Sequence, residues 1–305
     1  MRPVNEYLDL NLLRTFVTIV NEKSISEAAN KLYVTQPAVS SSLKRLEMHL
    51  ESSLIERSSR HFHVTEAGLK VYEEAIQILS RVSRLCMNIG NDKDKIEGIL
   101  KIGIVSGARI NIFDKSLEHI HTMHPNITCE LKELLSQDII RSVAFESLSL
   151  GITTLPLKSQ SIKSFLLGTQ RYRLYCGKAH PLYERNDLSL NDLTDCEWVS
   201  YTNSQLNGSL FEIEKFRIKH SLLGKNAAIT QSLNEARRLI KCGWGIGCLP
   251  ESFARDEEIK LNLRALPPSE GVANIDLYVI WNSQTVLTGA EQAAIDIIKE
   301  HAFFH

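Results

Sequence analysis

The sequence predicts a helical N-terminal head joined to a larger body in which strands and helices alternate. Three observations carry that expectation. Apolar residues recur at helical spacing through positions 10–88, strand-like and helix-like stretches alternate from 99 onward, and a charged segment, Asn91-Asp92-Lys93-Asp94-Lys95, separates the two regimes. At roughly 100–200 residues per domain, 305 residues suit two or three units.

In the head, Leu10, Leu13, Phe16, Val17 and Val20 share a helical face behind Asp9, a capping residue. Ser24-Ile25-Ser26-Glu27 has the form of a capping box ahead of a short helix carrying Ala28, Ala29 and Leu32. A third helix holds Val39, Leu43, Leu46 and Leu50 on one stripe. Thr35 caps it, and Pro37 sits in its first turn, where a missing N–H does no harm. Residues 54–64 read as two small strands around Ser58-Ser59-Arg60. A long helix then runs from Thr65-Glu66 to about residue 88 with two apolar stripes. One stripe is Leu69, Tyr72, Ile76 and Leu79; the other is Ala75, Ile78, Val82 and Leu85. One can pack on the head itself, and the other needs a partner, which a coiled-coil-like dimer supplies.

In the body, strands are expected at 99–105, 127–133, 150–153, 172–176, 198–201, 227–229 and 247–249. Helices are expected at 109–123, 137–146 and 288–301, with others between the later strands. This rhythm implies parallel sheets covered by helices.

Composition narrows the function classes. Hydrophobic and charged contents of 43% and 23% are those of an ordinary globular protein. No apolar run reaches the roughly 20 residues of a membrane helix. Met1-Arg2-Pro3-Val4-Asn5-Glu6 lacks the apolar core of a secretory signal, so the cytoplasm is the expected compartment and no membrane partner is expected. A net charge of −1 means that any nucleic-acid surface must be local. The six cysteines, at 86, 129, 176, 196, 242 and 248, have no metal-ligand spacing, so neither metal nor cofactor is expected. Catalytic signatures such as GxSxG, a Walker loop or HExxH are missing. Gly243-Trp244-Gly245-Ile246-Gly247 precedes a strand instead of opening a helix, and it lacks a phosphate-loop Lys.

The second and third helices of the head suit a helix-turn-helix. Ala28 and Ala29 allow the close crossing, Tyr33-Val34-Thr35 forms the turn, and the third helix opens with Gln36-Pro37-Ala38-Val39-Ser40-Ser41-Ser42. Gln bonds adenine in a bidentate manner, and Ser or Thr bonds bases or phosphates. Candidate DNA-binding residues are Thr35, Gln36, Pro37, Ser40, Ser41, Lys44 and Arg45. Residues 35–65 carry four basic residues against three acids, a modest local excess. The same residues also fit a capped surface helix of a bundle.

Residues 9–70 resemble the LysR-type transcriptional regulators. The resemblance rests on Leu13-x-x-Phe16 and Ser24-Ile25-Ser26-Glu27-Ala28-Ala29-x-x-Leu32. It continues through Val34-Thr35-Gln36-Pro37-Ala38-Val39-Ser40-x-x-Leu43-x-x-Leu46-Glu47, Leu54-Ile55-Glu56-Arg57 and Val64-Thr65-x-Ala67-Gly68. Gly98-Ile99-Leu100-Lys101-Ile102-Gly103 through Gly243-Trp244-Gly245-Ile246-Gly247-Cys248-Leu249-Pro250 resembles the effector domain of that family. Ile55 stands where the family usually has Phe, Ser41 and Ser42 replace residues that are often longer or basic, and Ser149 replaces a common acid.

The resemblance implies an all-α winged helix-turn-helix over 1–65, a linker and dimerisation helix over 66–91 and a hinge at 92–97. An α/β effector domain like a periplasmic binding protein would follow over 98–305. Its subdomain I would comprise 98–161 and 268–305, and its subdomain II 162–267. Arg57 and Arg60 would hold phosphate or the minor groove from the wing. The implied partners are double-stranded DNA, a second copy of the chain, a tetramer of such copies, RNA polymerase and a small-molecule effector, with anions one candidate class.

Strand ends and helix starts pick the effector residues. They are Ser106 and Arg109, Ser136 and Gln137, Thr154, Tyr201 and Thr202 with Gln205, and Thr230 with Gln231 and Asn234. Each Ser or Thr there also fits a plain N-cap. The implied function is a sequence-specific regulator switched by an effector between two subdomains. Two readings compete with it. One is an α/β binding protein or enzyme with a helical dimerisation module, and the other is a nucleoid-type DNA binder without an effector.

Overall fold

The computed structural model describes residues 8–58, 61–89, 96–108, 110–155, 161–202 and 210–303. The chain forms two compact units, one built mainly from Met1–Asp92 and the other from Lys93–Ala144 and Leu148–His305.

The first unit begins with α1 (Leu10–Glu22), α2 (Ile25–Leu32) and α3 (Gln36–His49). A hairpin of β1 (Ile55–Ser58) and β2 (His61–Val64) follows, and then α4 (Glu66–Ile89). Side-chain oxygens of Asp9, Ser24 and Thr35 accept backbone N–H bonds in the first turns of α1, α2 and α3, so each helix begins where a donor would otherwise be unpaired. α1 buries Leu12, Leu13, Phe16 and Ile19. Its inner face is therefore turned slightly from the expected one, and Leu10 is exposed. Ala28, Leu43, Leu46 and Leu54 complete a core without solvent exposure. Each of these buried Leu side chains contributes roughly 1.5–3 kcal/mol, and the Ala28 methyl less.

α4 is anchored by Tyr72, whose hydroxyl donates to Asn21 Oδ1 at 2.5 Å. Its expected stripes need reassignment. Ala75 is buried, and Val71, Tyr72 and Leu79 pack on the head's core beside it, whereas Leu69 is exposed. Ile78, Val82 and Leu85 stay uncovered along one face. Ala75 and Leu79 lie four positions apart, which aligns them on a helix more closely than Leu69 and Leu79.

The second unit contains β3 (Gly98–Ile104), α5 (Asn111–Met123), β4 (Ile127–Glu133), α6 (Ser136–Ala144), β5 (Leu150–Thr153) and β6 (Ile162–Gly177). It continues with β7 (Trp198–Tyr201), α7 (Phe211–Lys219), β8 (Asn226–Thr230), α8 (Leu233–Lys241), β9 (Ile246–Pro250) and α9 (Glu251–Ile259). β10 (Leu263–Leu266), β11 (Ala273–Asn282) and α10 (Gly289–Phe303) close it. Among the described residues one sheet runs β4-β3-β5-β11-β6-β9-β7-β8, with β10 also on β6.

The sheet is mixed, not parallel as expected. β3 lies parallel to β4 and β5, and β7 lies parallel to β8 and β9. β6 and β11 pair antiparallel to each other and to β9 and β5 respectively, and β10 runs antiparallel on β6. An alternating rhythm does not fix the direction of strands that enter without a helical crossover. The second unit has two main cores and a smaller cluster of Ile139, Val143, Leu148, Ile162 and Ile280. Leu100, Ile102, Leu150, Leu277 and Val279 belong to one, and Leu174, Tyr175, Trp198, Ile246 and Leu249 to the other.

The expected subdomain boundaries move as well. Phe165 and Leu167 pack in the first core, although they lie beyond the expected boundary at 161/162. Val272, Ala273 and Ile275 pack in the second core, although they follow 267. The exchange occurs inside β6 and β11, not in loops. Ser149 bonds within the first core region: its Oγ accepts from Lys101 N–H, and its own N–H donates to Lys101 O at 2.8 Å.

Candidate nucleic-acid interface and ligand cleft

α3 carries Val39, Leu43 and Leu46 inward. The 3.6-residue period therefore sends the intervening polar residues outward. Thr35, Gln36, Pro37, Ala38, Ser41, Lys44 and Arg45 are exposed, and Ser40 is half-buried at the edge of that face. Thr35 has a second task, because its Oγ1 accepts the Ala38 N–H at 3.4 Å. The turn before α3 closes on Tyr33, which adopts the left-handed conformation (φ 55°) while Val34 N–H bonds back to Ala29 O.

Among the described residues Lys44 and Arg45 form no ion pair. The nearby acid Glu47 is engaged elsewhere. It accepts the N–H of Leu54 at 2.9 Å and of Ile55 at 3.3 Å, with Ser53 Oγ at 3.4 Å. Glu47 thus ties the end of α3 to the base of the hairpin, a role that counting charges along the sequence does not reveal. Thr65 completes that base by donating to Ser53 O at 2.8 Å while accepting Gly68 N–H at 2.9 Å. Arg57 lies in β1, where only its backbone is described; Arg60 lies outside the described residues. The candidate set on α3 shares one continuous outward face.

In the second unit, a cleft of about 340 Å³ opens between the two cores. Val105, Ser106, Glu133, Leu134, Leu135, Ser136, Asp138 and Thr154 line it from one side. Gln170, Tyr172, Tyr201, Leu210, Gln231, Ser232 and Leu233 line it from the other. The volume is in the range of small-molecule sites, roughly 300–1,000 Å³. Ser106, Ser136, Thr154, Tyr201 and Gln231 of the expected set meet here. Gln137, Thr202, Thr230 and Asn234 do not line it. Thr230 Oγ1 accepts Ser232 N–H at 3.2 Å in a local turn ahead of α8, whose N-cap is Ser232, and Gln137 and Thr202 are exposed. Arg109 and Gln205 lie outside the described residues.

The cleft floor is held by side chains. Ser106 Oγ accepts the Leu233 N–H at 3.1 Å, and Gln170 Nε2 donates to Gly107 O at 3.1 Å. Gly107 has φ +70°, and a Cβ there would fall 2.3 Å from Leu233 Cδ1, so these two positions interlock. Ser136 Oγ and Thr154 Oγ1 lie 3.1 Å apart. Burial pushes the Tyr172 and Tyr201 phenols well up, so both remain neutral donors across the biological pH range. Tyr201 spends its proton on Cys248 O. Among the described lining residues there are two carboxylates, Glu133 and Asp138, and no Lys, Arg or His.

Of the polar lining, sequence reasoning missed Glu133, Asp138, Gln170, Tyr172 and Ser232. Glu133 ends β4 and follows the strand-end rule that selected its neighbour Ser136. Gln170 and Tyr172 sit in the middle of β6, a strand the rhythm placed only from 172 onward.

Comparison with known proteins closes the case. Residues 93–303 match the family model described as LysR substrate binding domain, and residues 10–69 match that of the bacterial regulatory helix-turn-helix protein, lysR family. The transcriptional regulator BenM of Acinetobacter baylyi is 27% identical over 275 residues, covering 89% of each chain. A full-length OxyR variant from Pseudomonas aeruginosa superposes with a TM-score of 0.65 at 19% identity, over 98% of this chain and 95% of that one. Full-length CbnR in complex with its target DNA gives a TM-score of 0.69 at 16% identity, over 97% and 100%. Both halves are matched in order along one chain, and the protein belongs to the LysR family of bacterial transcriptional regulators.

Proposed function

We propose that the protein is a sequence-specific transcription regulator of the cytoplasm, which reads DNA with α3 and is switched by a small molecule in the cleft. The observation that carries this reading is the outward face of α3, where an amide, hydroxyls and two cations without an ion pair among the described residues stand together on a helix capped at Thr35. The DNA complex of CbnR supports that placement. Gln36 reads bases, Lys44 and Arg45 hold phosphates, and the hairpin residues Arg57 and Arg60 add backbone contacts.

The effector reading rests on the cleft. The start of α8 favours an anionic or acceptor-rich end. Glu133, which ends β4, and Asp138, in the first turn of α6, favour donors beside the start of α6. A small molecule bearing both kinds of group fits this lining better than a simple anion. The switch is a population shift, so the effector must bind one arrangement of the subdomains better than another.

Dimerisation belongs to the same reading. Ile78, Val82 and Leu85 form an uncovered helical stripe that a second copy would bury. Pairs of dimers and contact with RNA polymerase extend it. Ile78→Asp with Val82→Asp is expected to shift the protein from dimer to monomer on size-exclusion chromatography with light scattering. An unchanged dimer mass would remove α4 from the interface.

The function itself is tested by gel retardation on the DNA upstream of the protein's own gene, titrated across salt. A selective complex is expected, and Gln36→Ala is expected to relax selectivity at one base position by about 1–3 kcal/mol. A folded protein that binds no DNA at low salt would overturn the reading.

A further inference from the structure

A second groove, separate from the cleft, lies on the surface formed by α8 and α9. Its volume is about 440 Å³, and its lining is Asn234, Arg237, Arg238, Lys241, Cys242 and Glu257. Three of the six side chains are cations from little more than one turn of α8. Arg237 and Lys241 are four residues apart and share a face, where like charges repel unless something bridges them.

Glu257 of α9 supplies part of that bridge. Lys241 Nζ is 2.8 Å from its carboxylate, and Lys241, Asn262 and more distantly Arg237 hold the Glu257 carboxyl below its ordinary range. Arg238 is paired with Glu235 at 3.1 Å. Arg237 forms no ion pair among the described residues. Its guanidinium lies 4.5 Å over the ring of Phe253, and it donates to Asn234 Oδ1 at 3.4 Å. That bond leaves the Asn234 amide N–H₂ as a further donor. The groove therefore presents many donors, a single carboxylate and an Arg fork already fixed in orientation by stacking.

We propose that this groove binds a small anion of the phosphate class, with Arg237 and Lys241 as its principal partners and Asn234 as a neutral donor. A tetrahedral dianion matches the fork of Arg237 and neutralises the cation that Glu257 leaves uncompensated. The site is independent of the DNA-reading face and of the effector cleft, so its failure would leave the proposed function standing.

Cys242 is exposed on the groove wall and reports on it, while the exposed Cys129 of β4 serves as an internal reference. The full-length protein is alkylated with iodoacetamide in inorganic phosphate, in glycerol phosphate or in chloride of matched ionic strength, and labelling is followed by peptide mass spectrometry. Either phosphate is expected to slow labelling of Cys242 at least about threefold relative to chloride, with Cys129 unchanged. Lys241→Gln and Arg237→Gln, each checked for an unchanged melting temperature, are expected to remove that protection. Lys241→Gln leaves the Phe253 stack intact and answers the question if Arg237→Gln does not fold. Equal protection by chloride, no protection, or protection that persists in Lys241→Gln would overturn the proposal.

Discussion

Replacing Lys44 and Arg45 together by Ala is expected to lower DNA affinity about a hundredfold while leaving the fold intact. Both side chains are exposed on α3 and free of ion pairs among the described residues. Their removal therefore leaves no partner stranded and opens no cavity. At about 1.5 kcal/mol for each charge-assisted contact, two contacts amount to about two decades in Kd. The loss should fall almost equally on specific and random DNA, because phosphates carry no sequence. Each phosphate contact contributes about 0.9 to the slope of log K against log salt, so that slope should flatten by about 1.8. Fluorescence anisotropy across 50–200 mM salt reads both quantities. An unchanged slope would mean that the second half of α3 stands clear of the DNA.

Gly68→Ala is expected to destabilise the head by about 2–3 kcal/mol, although it adds a single methyl group. A Cβ at Gly68 would lie 2.2 Å from Leu54 O and 2.7 Å from Val64 Cγ1. Leu54 O also accepts the Thr65 N–H at 3.0 Å, and Leu54 itself is fully buried. The nearer obstacle is thus backbone already committed to a hydrogen bond, and the other is a methyl of a β-branched side chain, which is stiff at χ1. The first turn of α4 would have to lift from the base of the hairpin that Glu47 and Thr65 organise. For a unit of this size the melting temperature of the head should fall by about 10–20 °C. DNA binding should weaken in parallel, since the hairpin and α3 share that base. A melting temperature within a degree or two of the parent would show that α4 is not seated as described.

Much of the head is legible in the sequence because short-range rules govern it. Asp9, Ser24 and Thr35 cap the helices they precede, and Val39, Leu43 and Leu46 fix which side of α3 faces out. Where the reading slipped, the cause was an ambiguity of phase, as with Leu12 and Ile19 on α1 or Ala75 on α4. The body was harder. β10 and β11 lie outside the strands that the rhythm marks, and β6 is marked only from 172, because residues 162–171 mix Lys, Ser, Gly, Thr and Gln with apolar positions and show no clean alternation. Those strands hold the sheet together through partners far away in sequence, which local periodicity does not register. The same gap hid half of the cleft. Strand-end reasoning is built for parallel strands and finds Ser106, Ser136 and Thr154. Gln170 and Tyr172 reach the cleft from mid-strand, where β6 runs antiparallel beneath it.

The passage of β6 and β11 through both cores has a mechanical consequence. These strands are bonded to each other from Ile162 and Asn282 to Tyr172 and Ala273, with one irregularity in register at Leu277/Tyr278. A two-stranded ribbon of this kind resists stretching and shear, since either would break a whole ladder of hydrogen bonds, but it twists at small cost. The cleft lobes are therefore joined by a torsion spring instead of slack tethers. An occupant of the cleft would be registered as an angle about the ribbon axis, concentrated where the ladder is already interrupted.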